Sequence, residues 1–341
     1  MRHLTKELFF QLTRTTGINA LLRRSFRRHV MVLGYHGILP DELLADDFRD
    51  RNTLGVEELR SQLEIATRFF EPISTTDLLG WVEGRRELPP SAMLVTFDDG
   101  LRNNAVHAAP VLESMGIPGL FNLPTSHIGE PGFLWPLELG ERVFQWREGI
   151  LPMPGDLEDT TPGPSSEERG RIAKKIGHWC KGVSDRERRA YLERLREVGG
   201  PLTDERSEAN AFMSWDEARS LADRGFEFGS HSQTHPILSQ LEEAPLCDEM
   251  EESKRVLERE LGTECTSVTY PNGGPDDVSP AVIAAARRAG YRMGFMLVDR
   301  LTTSDDDLFR LGRISVPRGV APTAFHARIS GWHGVVGSQI R

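Results

Sequence analysis

Short apolar runs alternate with amphipathic stretches through the middle and the end of the chain. Ala92–Phe97 is a compact apolar run, bounded by two prolines before it and by Asp98-Asp99-Gly100 after it, and this pattern predicts a buried strand. Further strands are predicted at Val30–Tyr35, Ile117–Leu123, Phe226–Gly229, Ser267–Tyr270 and Tyr291–Leu297, and helices at Asn104–Met115, from Ser214 to Gly225, at Leu241–Leu261 and from Ser279 to Gly290. Repeated strand-then-helix order predicts an α/β fold with a parallel sheet, open or closed into a barrel.

The region from about Pro131 to Phe212 breaks this rhythm. It contains a Pro/Gly/acidic stretch, Leu151–Glu168, followed by two charged helical segments around Arg171–Lys181 and Asp185–Val198. We interpret it as an insertion that projects from the barrel, because long insertions in such folds commonly shape the substrate cleft. The predicted organisation is a basic N-terminal helix over residues 1–29, a barrel over residues 30–325 with the insertion at about 131–212, and a C-terminal tail over residues 326–341.

Composition and charge narrow the class of protein. A chain of 341 residues with 38% hydrophobic and 27% charged residues is typical of a soluble globular protein, and a net charge of -10 argues against a nucleic-acid-coating role. Three widely spaced cysteines without a C-x-x-C pair argue against a disulfide framework and against a thiolate metal site. Without a recognisable secretory signal or a run of about 18 apolar residues, we expect a cytoplasmic location.

The N-terminal segment allows two interpretations. Arginines crowd the stretch before Val30, and Leu4, Leu8 and Phe9 share a helical face near them. A basic surface helix is the simpler interpretation. The alternative is a peripheral contact with the inner face of a membrane through this helix.

Three polar clusters directly follow predicted strands, where α/β barrels carry their active sites. The first is Thr96-Phe97-Asp98-Asp99-Gly100, the second His231-Ser232-Gln233-Thr234-His235-Pro236 and the third Tyr270-Pro271-Asn272-Gly273-Gly274. Each has an ordinary structural explanation taken alone: a capped turn, two surface histidines and a tight turn. Together, one carboxylate and two imidazoles complete a three-ligand site with room for a water, the arrangement of catalytic zinc.

The same ligand types also serve non-haem iron oxygenases. The second aspartate favours a hydrolase, because a hydrolase needs a general base beside the activated water and an oxygenase needs none.

The first two clusters, in this order, resemble the first two motifs of the polysaccharide deacetylase (NodB-homology) family. The resemblance spans about Val30 to Val316 without the insertion. It implies a distorted (β/α) barrel of about seven parallel strands. It also implies that Asp98 is the catalytic base, that Asp99, His231 and His235 bind a divalent metal, expected to be Zn²⁺, and that the backbone N–H of Asn272 helps to bind the oxyanion.

Two features depart from the family pattern. No arginine precedes Pro271 to orient the base, and Arg310 or Arg313 is a candidate replacement. No histidine ends a strand late in the chain, where the family's general acid usually lies. Leu33-Gly34-Tyr35-His36-Gly37 instead resembles the acid-bearing strand of a circularly rearranged subset, which implies that His36 is the acid; a buried core histidine is the alternative. His326 and His333 are the next candidates.

The resemblance implies metal-dependent hydrolysis of N-acetyl groups on a carbohydrate, with release of acetate. Two alternatives stay open: a metal-dependent amidohydrolase of a small non-sugar amide, and a catalytically silent sugar-binding relative. The expected partner is an N-acetylated glycan, which the sequence does not name. Trp135 and Trp332 are candidates for stacking on a sugar, although aromatic residues in loops more often serve packing.

Overall fold

A computed structural model describes residues 16–44, 52–147, 149–202 and 210–332 of the protein. The strands are β1 (Met31–Tyr35), β2 (Ile38–Leu39), β3 (Leu54–Gly55), β4 (Glu71–Pro72), β5 (Ala92–Phe97), β6 (Gly119–Leu123), β7 (Glu227–Ser230), β8 (Ser267–Thr269), β9 (Met293–Phe295) and β10 (Ile314–Ser315). The helices are α1 (Ile18–Ser25), α2 (Val56–Thr67), α3 (Thr75–Val82), α4 (Ala109–Met115), α5 (Trp135–Gln145), α6 (Ser166–Gly182), α7 (Asp185–Gly199), α8 (Trp215–Asp223), α9 (Glu243–Leu261), α10 (Pro280–Arg288) and α11 (Pro322–Ala327).

The main sheet is parallel and curls into a distorted barrel. Its strands follow the order β10-β1-β5-β6-β7-β8-β9, with the short β4 paired to the start of β5. The first strand lies beside the last, since Leu33 pairs with Ile314. On the other side, Phe295 of β9 forms a parallel bridge with Leu311, just before β10, so the circuit of strands closes. The predicted fold class, a distorted (β/α) barrel of about seven parallel strands, is confirmed.

Alternation along the strands separates two hydrophobic cores. In β5, Met93, Val95 and Phe97 pack with the surrounding helices, whereas Ala92 and Leu94 belong to a smaller core with Ile73 and residues of α3. Successive side chains of a strand point to opposite faces. Thr96 and Asp98 therefore point to the same side of the sheet as Leu94, which is the inside of the barrel. Directly after β1, the same alternation places His36 on that side with Val32 and Gly34.

The inserted region folds into three helices, α5, α6 and α7, around a core of their own. This core includes Leu139, Val143, Ile176, Tyr191 and Leu195. Glu138 of α5 also forms two ion pairs. One is with Arg142 of the same helix at 2.8 Å, and the other is with Arg196 of α7 at 2.6 Å. The helices are therefore fixed to one another by apolar packing and by a partly buried carboxylate.

The two ends of the described chain pack together. Trp332 donates its indole N–H to Asn19 of α1 at 2.8 Å, and Arg23 donates to Ser330 at 2.7 Å. His326 of α11 is buried beside α1. The described residues do not include Leu4, Leu8, Phe9 and His333. The membrane-contact interpretation of the N-terminal helix, the candidacy of His333 as the acid and the boundaries at 1–29 and 326–341 therefore remain predictions. Within the described ranges, none of the helices has the length and apolar character needed to cross a bilayer.

Candidate active site

Asp98 and Arg313 meet inside the barrel, at the carboxyl end of β5. The two guanidinium NH₂ groups of Arg313 donate to Oδ1 and Oδ2 of Asp98 at 2.8 and 2.7 Å, a two-point contact that orients the carboxylate. Asn122 of β6 donates a third hydrogen bond to Oδ1 at 2.9 Å. Of the two arginines considered as replacements, Arg313 therefore contacts Asp98. Arg310 instead lies 3.8 Å from Asp307 and is half exposed.

The surroundings of Asp98 keep its carboxylate ionised. Complete burial by itself would raise the pKa of Asp98, because a buried charge loses its hydration. The positive charge of Arg313 outweighs this effect, with further contributions from His231, and lowers the pKa of Asp98 to about 2. A carboxylate that is buried, ionised and fixed in orientation can accept a proton from a neighbouring group.

Asp99, His231 and His235 converge beside Asp98. The Nε2 atoms of His231 and His235 each lie 3.4 Å from Oδ1 of Asp99, and one ligand atom from each of the three residues lies within 4.8 Å of the others. Ligands at about 2.0–2.1 Å from a tetrahedral zinc are about 3.3 Å apart. The donor types and the spacing therefore fit a divalent metal held by these three residues.

Hydrogen bonds outside the triad fix the ligand atoms. The Nδ1–H of His231 donates to the carbonyl oxygen of Thr269 at 2.7 Å, which leaves Nε2 as the lone-pair atom directed at Asp99. Glu249 of α9 accepts the backbone N–H groups of Gln233 and Thr234, both at 2.8 Å, and so supports the loop between the two histidines. Nδ1 of His235 is buried and has no hydrogen-bond partner among the described residues.

Burial and mutual contact shift the titration of the triad. Burial would raise the pKa of Asp99, but its hydrogen bonds with His231 and His235 lower that pKa well below its usual range. Burial would likewise lower the pKa of His231, but Asp99 and Asp98 raise it. For His235, burial dominates and lowers the pKa. The concentrated negative charge of two adjacent carboxylates is therefore compensated by Arg313 and the neighbouring histidines and not by protonation of the aspartates.

His36 and Asn272 border the same cleft. Nε2 of His36 lies 4.0 Å from Oδ2 of Asp98, and the imidazole is partly exposed to solvent. Asn272 lies in the turn after β8, where its side-chain amide donates to Asp277 at 2.8 Å, and it lines the cleft. All six residues selected from the sequence thus line one cavity of about 370 Å³.

Backbone strain is concentrated in the loops of this cleft. Among the described residues, five non-glycine residues have positive φ, and four of them lie in the three sequence clusters: Asp99 (73°), Ser232 (63°), His235 (60°) and Asn272 (63°). Such conformations are costly for residues with a Cβ and persist where the surroundings impose them, which happens often at functional sites.

The other candidates lie elsewhere. His326 borders a separate cavity with α1 and α2, where its ring contacts Asn19 and Arg23 at 3.1 Å. Trp332 packs on α1, whereas Trp135 of the insertion lines the active cleft. Sequence reasoning missed Asn122. The sequence feature that could have identified Asn122 is a single amide side chain in an otherwise apolar strand, because a buried amide needs a hydrogen-bond partner.

Comparison with known proteins agrees with this geometry. Residues 181–294 match the family model described as polysaccharide deacetylase. A protein of Bacillus subtilis (strain 168) named "Putative polysaccharide deacetylase YxkH" is 26% identical over 117 residues, which make up 34% of this chain and 41% of that protein. The matched segment therefore spans less than half of that relative.

Two solved structures have a similar fold. Streptococcus pyogenes deacetylase PplD in complex with acetate superposes with a TM-score of 0.57 at 15% identity, over 88% of this chain and 98% of that one. IcaB from Ammonifex degensii superposes with a TM-score of 0.57 at 17% identity, over 89% of this chain and 98% of that one. At these identities the likeness supports the barrel fold.

The fold and the cleft define a closed parallel (β/α) barrel with a candidate Asp–His–His metal site at the carboxyl ends of its strands. Within that class, residues 181–294, which contain the second and third sequence clusters, are similar to the polysaccharide deacetylase family, whose model they match.

Proposed function

We propose that this protein is a metal-dependent deacetylase that hydrolyses N-acetyl groups on a carbohydrate and releases acetate. One observation carries the proposal: an ionised carboxylate, Asp98, and the imidazole of His36, 4.0 Å from it, line the same cavity as the Asp99–His231–His235 triad. A base candidate and an acid candidate beside a potential metal site are the groups that amide hydrolysis requires.

The residues that would hold the metal are Asp99, His231 and His235, and the mixed nitrogen and oxygen donors suit Zn²⁺. A divalent metal bound there would supply Lewis-acid activation of the attacking water and of the acetamide carbonyl. Binding needs the ionised Asp99 and the neutral form of both histidines; because the pKa of His231 is raised, a metal bound there would displace the proton from its Nε2.

Asp98 accepts the proton of the water as the water oxygen bonds to the acetamide carbon. Arg313 and Asn122 keep the carboxylate oriented for this transfer, because both of its oxygens are fixed by hydrogen bonds. The backbone N–H of Asn272 donates to the carbonyl oxygen as negative charge develops on it.

His36 protonates the amide nitrogen as the carbon–nitrogen bond breaks. This step is needed because an unprotonated amide nitrogen is a poor leaving group. The water oxygen is then in acetate, and the free amine on the sugar carries the proton from His36. Transfer of the proton held by Asp98 to His36, 4.0 Å away, directly or through solvent, restores both groups. His36 directly follows β1, the first strand of the barrel, and this role would place the chain in the subset with an N-terminal Tyr-His strand.

The proposed partner is an N-acetylated glycan, with no role for nucleic acid. A cytoplasmic location and a peripheral contact of the N-terminal helix with the membrane belong to the same proposal. The exposed Leu21 and Arg24 of α1 support that contact.

The test is acetate release from a panel of N-acetylated glycans and small non-sugar amides, with and without a chelator. The proposal expects chelator-sensitive turnover of the glycans. Turnover of the small amides alone would instead establish an amidohydrolase of another substrate class. Glycan binding without any acetate release, in a sample loaded with metal, would establish a sugar-binding relative.

A further inference from the structure

The active cleft does not end at the barrel. The insertion forms its outer wall, to which α5 contributes Trp135, Leu137, Gly140, Glu141 and Phe144, and α6 contributes Gly170, Ala173 and Lys181. This wall continues directly from the cavity that contains Asp98 and the triad. A substrate that extends beyond the reacting acetamide can therefore contact this wall.

Two helical glycines keep a path open along the wall. A Cβ added at Gly140 of α5 would meet no atom within 4 Å, and one added at Gly170 of α6 would first meet the Phe144 ring at 3.8 Å. Glycine in a helix interior is less favourable than alanine. Because neither position is crowded by the protein itself, larger side chains there would occupy the cleft.

The exposed chemistry of the wall is mostly apolar. Helical backbone groups are already hydrogen-bonded within α5 and α6, so Gly140, Gly170 and Ala173 present carbon and hydrogen to the cleft. Trp135 adds an aromatic surface, with the guanidinium of Arg188 5.0 Å from its ring centroid. Glu141 and Lys181 are the charged side chains of this wall, and the rest of its helical lining is largely carbon surface. Sugar hydroxyls that leave water need hydrogen-bond partners, whereas a hydrocarbon chain needs none and suits the carbon surface.

We propose that the substrate is a glycolipid, an N-acetylated sugar whose attached apolar chain lies against the α5–α6 wall. This inference rests on the proposed deacetylase function and specifies its substrate class. The sugar occupies the polar end of the cleft between His36 and the triad, and the chain follows the apolar path past Gly140 and Gly170. Burial of the chain contributes binding energy in proportion to the apolar area removed from water.

The experiment compares three substrates of the metal-loaded protein: methyl and hexyl glycosides of N-acetylglucosamine, and the fully N-acetylated chitotriose. The hexyl glycoside should have a kcat/KM at least about tenfold above that of the methyl glycoside, because five further methylenes contact the wall. An advantage for chitotriose over the hexyl glycoside, or equal values for the two glycosides, would overturn the proposal.

Gly140→Leu tests whether the wall is responsible. The leucine should fill the path and reduce the hexyl-to-methyl ratio of kcat/KM to about one. Gly170→Leu is a second variant of the same design on the other helix. Gly182→Leu is the matched control, since Gly182 ends α6 and a Cβ there also meets no atom within 4 Å, but it does not border the cleft. An unchanged ratio in both wall variants would overturn the proposal.

Binding separates a failure of this inference from a failure of the proposed function. If no substrate releases acetate, the deacetylase function fails, and calorimetry with the two glycosides still decides the role of the wall. The hexyl glycoside should then bind at least about tenfold more tightly than the methyl glycoside to the wild type and to Gly182→Leu. Equal affinities would overturn the assignment of an apolar chain to this wall.

Discussion

Arg313 donates two hydrogen bonds to the carboxylate of Asp98, across 215 positions of sequence. Both side chains are almost completely buried. Removing one partner of a buried ion pair leaves an uncompensated charge, which costs about 3–5 kcal/mol. We expect Arg313→Met to lower the free energy of unfolding by about this amount in urea titrations, and Arg313→Lys to lower it less because the charge remains. A Met variant within about 1 kcal/mol of the wild type would contradict this.

The same pair predicts a pH dependence of stability. The pKa of Asp98 is lowered to about 2 in the folded protein, compared with about 3.9 in an unfolded chain. Its ion pair therefore contributes fully above the unfolded pKa and is lost as the pH falls towards 2. The difference in unfolding free energy between the wild type and Arg313→Met should be constant from pH 6 to 7 and should shrink below about pH 4. A difference that grows on acidification would contradict the assignment.

Metal content should depend on the triad. His235→Ala should reduce the zinc bound per chain, measured by atomic emission after dialysis, and a chelator should abolish acetate release until Zn²⁺ or Co²⁺ is restored. His178→Ala is the control, since it makes the same substitution at an exposed position of α6. Full activity in a verified metal-free sample would end the proposal of metal dependence.

Asp98 and Asp99 should respond differently to the loss of charge. Asp98→Asn should keep the metal and lower kcat by about 10²–10⁴-fold, the usual cost of losing a general base. Asp99→Asn should instead weaken metal binding, because Asp99 lies 3.4 Å from both imidazoles. If Asp98→Asn loses the metal, the two roles have been assigned the wrong way round.

His36 should matter for the leaving group and not for the metal. His36→Ala should bind metal normally and lose turnover on N-acetyl substrates, and it should lose less on an acetate ester with a good leaving group. The asymmetry follows because only the amine must be protonated as it departs. Equal losses on both substrates would remove His36 from the acid role.

The three cysteines should differ in reactivity. Burial raises the pKa of the Cys180 thiol to about 11 and that of Cys265 to about 12, so neither is a thiolate at pH 8. Cys247 is more exposed. A thiol reagent at pH 8 should label about one cysteine of the folded protein and all three in denaturant, and Cys247→Ser should abolish the native signal. Rapid labelling of a second thiol in the folded protein would contradict the buried positions.

The barrel strands were predictable because burial on both faces leaves a strong local signal. β5 was predicted with its observed bounds, and β7 was displaced by one residue at each end. The helix predicted at Asn104–Met115 is a π-helical turn at Asn104–Ala108 followed by α4. The helix α3 was not predicted, although Ser74 and Asp77 form a capping box at its start. Its eight residues are too few for a clear period of apolar positions.

The site was only partly predictable, for a physical reason. The metal-ligand candidates lie in motifs whose members are neighbours in sequence, so local spacing was sufficient to find them. Asp98 is contacted by Arg313, which directly precedes β10, and by Asn122 of β6. The folded barrel brings these residues together, so local sequence patterns do not identify them. The sequence reduced the missing arginine to Arg310 or Arg313. The structure distinguishes these two arginines, because Arg313 points into the barrel towards Asp98 and Arg310 lies outside, near Asp307.

The pairing of β1 with β10 also has a consequence for how the protein is made. A ribosome releases the chain from its N-terminus, so Asp99, His231 and His235 have all emerged before Arg313 does. The nascent chain can therefore gather its three ligand side chains while Asp98 still lacks its cationic partner and β1 still lacks one neighbour. A translation product that stops before residue 310 keeps every proposed metal ligand, the base and the acid, yet has no Arg313 to orient the base.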